Sequence, residues 1–223
     1  MANKISLTAS DGFKLDAYRA DPSGKPKGGI VLIQEIFGVN HHIQALVDEW
    51  GKAGYAVIGP AMYDRAEKGV DLGYDEEGRQ KGMAVRAKLD PAKQVLDYQA
   101  AAAALTGVGR IAIIGYCYGG TVAWQGATSG PFDAAVCYYG GGIADMLNAD
   151  AKCPVLMHFG EKDQGIPLDK VAKIKAAKPY AVVDIYKDAG HGFVCDERPS
   201  FQKAATDLAR QRTAAFLEMT LTA

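Results

Sequence analysis
The sequence predicts an α/β fold built on a mostly parallel, doubly wound central sheet, and three observations carry that expectation. Near-continuous apolar runs of strand length recur at Gly29 to Gln34, Tyr55 to Ile58, Ile111 to Tyr116, Ala134 to Tyr139, Val155 to Phe159 and Ala181 to Tyr186. Runs without polar alternation suit parallel strands covered on both faces. Between them lie segments of helical period: Ile43 to Ala53, the alanine-rich Pro91 to Leu105, Thr121 to Thr128, Leu168 to Ala177 and Phe201 to Met219. Strand and helix therefore alternate, which places helices on both faces of the sheet.

Two segments depart from that rhythm. Ile5, Leu7, Phe13, Leu15 and Tyr18 alternate around Ser10-Asp11-Gly12 and predict an N-terminal antiparallel hairpin. Ala61 to Ala84 is polar and carries no clear period, so it reads as a long excursion over the strand ends and a rim for a site.

A chain of 223 residues with 48% hydrophobic and 23% charged residues fits one globular α/β domain over residues 1–223. Its net charge of −1, with Lys and Arg scattered, excludes an electrostatic footprint for nucleic acid or an anionic membrane and favours a small-molecule partner. Met1 to Ser6 lacks the apolar run of a signal peptide, and no segment reaches membrane-spanning length, so a cytoplasmic location is expected. The four cysteines form no Cys-x-x-Cys pair, which argues against a zinc or thioredoxin-like site, and no metal is expected. Cys137 and Cys153 read as small buried hydrophobes, leaving Cys117 and Cys195 to explain. Nothing in the sequence fixes an oligomeric state.

The strongest local signal is Ile111-Ala112-Ile113-Ile114-Gly115-Tyr116-Cys117-Tyr118-Gly119-Gly120, a buried-type strand entering a turn and then a helix near Thr121. This is the Gly-x-nucleophile-x-Gly elbow of α/β-hydrolases with sulfur in place of the hydroxyl. Flanking glycines leave room for a strained backbone, and the helix N-terminus favours a thiolate and a developing oxyanion. The bland alternative is a glycine-rich turn with an incidental cysteine. A base belongs after the last strand, where Ala189-Gly190-His191-Gly192-Phe193 supplies His191. His41 and His42 begin a helix, and His158, within an apolar run, reads as a satisfied core histidine. The orienting acid is expected in Gly160-Glu161-Lys162-Asp163, with Asp163 preferred and Glu161 its competitor. The order nucleophile, acid, histidine is that of α/β-hydrolases.

With these residues in hand, the chain resembles the dienelactone hydrolase family, the carboxymethylenebutenolidases, over nearly its whole length. The resemblance rests on Gln34-Glu35-Ile36-Phe37-Gly38, on Gly115 to Gly120, on Gly160 to Asp163 before Pro167, and on Gly190-His191-Gly192-Phe193. It implies a Cys-His-Asp triad that opens dienelactone to maleylacetate, without a cofactor. It implies that Glu35 helps activate the thiol, where the residues alone also allow a carboxylate complementing a helix N-terminus. It implies an oxyanion hole from the N–H of Ile36 or Phe37 together with that of Tyr118. The family binds the substrate carboxylate with two arginines. Arg65 matches the first, but Cys195 stands at the second, with Arg198 either its substitute or a solvated surface residue. That departure concerns the substrate rather than the triad. The alternatives are a hydrolase of other small activated esters or thioesters and, from a different class, a non-catalytic binding protein of the same fold.

Overall fold
Strands form where the sequence predicts them, but the run Ala181 to Tyr186, expected to be covered on both faces, is an edge strand that leaves Val182 and Ile185 exposed. The computed structural model describes residues 2–222, and internal contacts divide the chain into two units, Met1–Ala112 and Ile113–Ala223. In the first unit, β1 (Asn3–Thr8) and β2 (Lys14–Ala20) form the expected antiparallel hairpin, with Leu7 opposite Leu15. β3 (Gly29–Ile33) and β4 (Ala56–Pro60) pair in parallel, β2 pairs antiparallel with β4, and the order is β1-β2-β4-β3. β3 and β4 are buried along their whole length, as their apolar composition requires.

Helix α1 (His41–Lys52) starts where Asn40 accepts a hydrogen bond from the Ile43 N–H, and it packs on β2 and β4. The excursion contains a helix that periodicity does not reveal, α2 (Glu76–Arg86). Asp75 caps it by accepting from the Gly78 N–H, and Glu76 and Glu77 lie at its positive end. Its buried positions are Gly78, Gly82 and Val85, so the inward face is made mostly of glycine and leaves almost no apolar signature. A Cβ on Gly82 would overlap the Ile36 carbonyl oxygen, so this close approach needs glycine. α3 (Pro91–Ala103), capped by Asp90 with Pro91 opening its first turn, packs on β3 and β4.

β5 (Ile111–Tyr116) opens at the division between the units, and β6 (Ala134–Tyr138), β7 (Val155–Gly160) and β8 (Val182–Tyr186) follow it in that order. The β6–β7 and β7–β8 pairs are parallel. α4 (Tyr118–Ser129) packs on β6, and α6 (Lys203–Leu221) packs on β6 and β7. α5 (Leu168–Ala177) lies against the short 3-10 turn Ile143–Asp145. α4 begins three residues earlier than the sequence suggests because the Cys117 carbonyl already accepts from the Gly120 and Thr121 N–H groups. Among the described residues, no helix is long and apolar enough to cross a membrane.

His158 is the satisfied core histidine its apolar surroundings predict. Fully buried on β7, it meets the Tyr186 hydroxyl through Nδ1 at 2.8 Å and Thr213 Oγ1 through Nε2 at 2.9 Å, and Thr213 in turn meets the Tyr138 hydroxyl at 2.6 Å. These bonds join β6, β7, β8 and α6. Burial, with a smaller push from the Arg212 guanidinium, lowers the imidazole to about 3. Unfolding therefore releases a histidine that takes up a proton below pH 6.5, while the folded imidazole stays neutral until about 3. Stability should fall through that window by up to about 1.4 kcal/mol per pH unit for this one proton. Urea unfolding of wild type and His158→Gln at pH 7.0 and 5.0 checks it: the variant is less stable at pH 7.0 but loses less on acidification.

Candidate active site
Cys117 sits between β5 and α4 with φ 56° and ψ −114°, a left-handed backbone that costs a residue with a Cβ of order 1–3 kcal/mol. Its surroundings hold that conformation in place. The Cys117 N–H donates to the Tyr138 carbonyl at 3.0 Å. A Cβ on Gly115 would overlap the Gly119 carbonyl oxygen, and one on Gly120 would overlap the Tyr138 carbonyl oxygen. Both clashes are with backbone, so no rotamer change relieves them, and glycine is the only residue that fits. The sulfur-bearing residue is left partly exposed at the N-cap of α4, with the Tyr118 N–H in the first turn at the positive end of the helix.

The second unit brings His191 and Asp163 to it. His191 lies in the loop after β8, where its Nδ1–H donates to Asp163 Oδ2 at 2.7 Å. Asp163 follows β7, its side chain is fully buried, and its other oxygen accepts from the Gly165 and Ile166 N–H groups at 2.9 and 3.1 Å. The carboxylate is thus oriented by its own loop before the histidine meets it. Glu161, the competitor, accepts from the Asp188 N–H on an exposed turn and takes no part in this arrangement.

His191 also interacts with the Cys117 side chain. Burial disfavours the imidazolium, but the neighbouring Cys117 side chain, followed by Asp163, outweighs it and lifts His191 to about 10. Because that value lies above the free-imidazole 6.5, the charged ring stabilises the fold fully below pH 6.5 and ceases to do so as the pH rises through about 10. Imidazole and carboxylate form a hydrogen-bonded pair, and with the Cys117 side chain beside them they are the residue types of a thiol nucleophile and its base.

Glu35 belongs to the first unit, two residues past β3, and is fully buried. The next helix in sequence, α1, is capped by Asn40 and has no acidic residue in its first turn. The Tyr74 hydroxyl donates to Glu35 Oε2 at 2.8 Å, and the Tyr74 ring lies 4.5 Å from that of Phe37. Phe37 is buried and its carbonyl accepts from the Leu72 N–H, while Ile36 is half-buried with its carbonyl against Gly82. Tyr74 is a partner that sequence reasoning missed, since one tyrosine in a polar excursion gives no periodic signal.

The two arginines fare differently. Arg65, 10% exposed, gives Nε and Nη2 to Asp97 and Nη1 and Nη2 to Asp11, with its guanidinium 4.4 Å above the Phe13 ring. The carboxylate-binding role implied for it thus meets a guanidinium already satisfied by two protein carboxylates. Arg198 lies beside the base: its guanidinium fills the space a Cβ on Gly192 would take, and Gly192, at φ +74°, directly follows His191. Cys195 is fully buried between them in sequence, its N–H donating to the Gly192 carbonyl and its carbonyl accepting from the Arg198 N–H.

Comparison with known proteins bears on the family to which the chain is similar. A model of the dienelactone hydrolase family matches residues 15–221. The carboxymethylenebutenolidases of Pseudomonas putida and Pseudomonas knackmussii are each 32% identical to this chain over 223 residues, covering 96% of it and 94% of their own length. Among solved structures, a Klebsiella pneumoniae protein provisionally named a dienelactone hydrolase superposes with a TM-score of 0.82 at 26% identity, covering 96% of this chain and 98% of its own.

The four thiols should differ sharply in reactivity. Burial, aided by the Cys153 thiolate, pushes Cys137 far up, burial raises Cys153 to about 11, and Cys195 is buried. At pH 7, iodoacetamide followed by peptide mass spectrometry should label Cys117 more than about tenfold faster than any other cysteine, and His191→Ala should remove most of that advantage.

Proposed function
The chain belongs to the dienelactone hydrolase family, hydrolases of ester and lactone bonds, and from that premise we propose that it opens an enol-lactone, dienelactone to maleylacetate, through a Cys117-His191-Asp163 triad. The observation that carries this reading is His191 bonded to Asp163 through Nδ1 and interacting with the Cys117 side chain. Cys117 Sγ attacks the lactone carbonyl carbon as thiolate, and the N–H of Tyr118, with that of Ile36 or Phe37, stabilises the oxyanion. The ring C–O bond breaks, the enolate leaves and takes the proton from His191, and a thioester remains on Cys117. His191 then accepts a proton from water, whose oxygen attacks the thioester carbonyl carbon; the C–S bond breaks, Cys117 leaves as thiolate beside the protonated His191, and the new carboxyl group loses its remaining proton to solvent. An enolate is a good leaving group, which suits a thiolate that expels alkoxides poorly.

Glu35 is assigned to thiol activation, with Tyr74 holding its carboxylate. For the substrate carboxylate, the position of Arg198 over Gly192 favours that arginine, while the two carboxylates on Arg65 favour a structural role for it. The reading also includes a single domain over residues 1–223, a small-molecule substrate, a cytoplasmic location and no resident cofactor. The hydrolase names of the relatives set the binding-protein alternative aside. A second substrate class, other activated esters or thioesters, is favoured by one observation, the thiol of Cys195 where the resemblance implies an arginine.

Steady-state hydrolysis of cis- and trans-dienelactone beside an aryl acetate decides between them. Turnover of a dienelactone supports the family reaction, and turnover of the aryl acetate alone transfers the proposal to the second class. Cys117→Ala should abolish turnover in either case, and hydrolysis surviving in the purified variant overturns the triad. Loss of a charge-assisted hydrogen bond in Arg198→Ala should raise KM for the lactone about tenfold or more and change the aryl acetate by less than about twofold.

A further inference from the structure
Tyr139 directly follows β6, is fully buried, and has φ 38°, a left-handed conformation that a large aromatic rarely adopts. Its backbone N–H donates to the His158 carbonyl at 2.8 Å. Its ring meets the His191 ring with centroids 5.0 Å apart at 58°, and the Phe193 ring at 5.7 Å and 70°. The peptide unit preceding it has a second attachment, since the carbonyl of Tyr138 is the acceptor for the Cys117 N–H. One peptide link at the end of β6 therefore holds the backbone of the sulfur-bearing residue on one side and, on the other, starts the residue whose ring lies against the imidazole.

We infer that Tyr139 is a positioning residue that sets the His191 ring relative to Cys117 Sγ, an inference that rests on the triad reading above. The Nδ1–H bond to Asp163 fixes one edge of the imidazole but leaves the ring free to rock about that bond. A ring packed at 5.0 Å restricts the rocking and keeps Nε2 aimed at sulfur. The left-handed backbone turns the Tyr139 side chain out of the strand alternation and toward His191, which is why an uncommon conformation is kept at the end of a buried strand.

The test compares Tyr139→Asn with Tyr139→Phe in the full chain. Asparagine accepts a left-handed backbone but removes the ring, and phenylalanine keeps the ring. Y139N is expected to lower kcat about 10- to 100-fold with KM within about threefold. It is also expected to move the midpoint of the pH profile for Cys117 alkylation upward by about one unit, as the imidazolium is no longer held against the thiolate. Y139F should restore both readouts to within about threefold of wild type. The inference is overturned if folded Y139N keeps wild-type kcat and midpoint, if kcat falls while the midpoint stays, or if Y139F is as impaired as Y139N. Tyr139→Gly, equally tolerant of the backbone, is the second ring-less variant should Y139N fail to fold, judged by circular dichroism. Failure of the triad reading would show differently, as slow, unselective alkylation of Cys117 in the wild-type chain.

Discussion
The left-handed backbone at Cys117 is the constraint on which the second unit depends. A cysteine does not hold φ 56° unaided, so neighbours must make every other conformation worse. Gly115 and Gly120 remove the side chains that would collide with the Gly119 and Tyr138 carbonyls, and the end of β6 supplies the acceptor for the Cys117 N–H. Once the residue is held there, α4 must begin at once, and the sulfur lies at the positive end of its dipole. The strain is thus the means by which a buried strand presents the Cys117 side chain at its end.

Asp163 and His191 follow the same logic with less strain. Gly165 and Ile166 orient the carboxylate through backbone N–H groups, and a carboxylate so held accepts the imidazole N–H in one direction only. The Tyr186–His158–Thr213–Tyr138 chain, buried beneath, ties together the strands from which both loops emerge. A polar core of this kind holds its geometry because every member has a partner.

The parts of this design legible in the sequence were those whose physics is local. Unbroken apolar runs gave away β3 to β7, the paired glycines around Cys117 announced the turn, and a histidine between two glycines after the last strand marked the partner of Asp163. What stayed hidden depends on contacts between distant segments. α2 buries glycines rather than leucines, so no period betrays it. Tyr74 and Tyr139 look like ordinary aromatics until the fold sets one on Glu35 and the other on His191. Arg65 resembles a ligand-binding arginine because its carboxylate partners, Asp11 and Asp97, lie 54 and 32 residues away.

That arginine also joins the first unit together. Asp11 closes the N-terminal hairpin, Arg65 lies in the excursion and Asp97 in the middle of α3, so one guanidinium fastens three separately encoded segments. Such a joint cannot drift one residue at a time: losing Arg65 strands the buried Asp97, and losing Asp97 leaves an arginine half served. The stretch between this rivet and the glycine face of α2 is fastened separately, by the Tyr74 hydroxyl on Glu35 and the Leu72 N–H on the Phe37 carbonyl, so the excursion is pinned along its length and not only at its two ends.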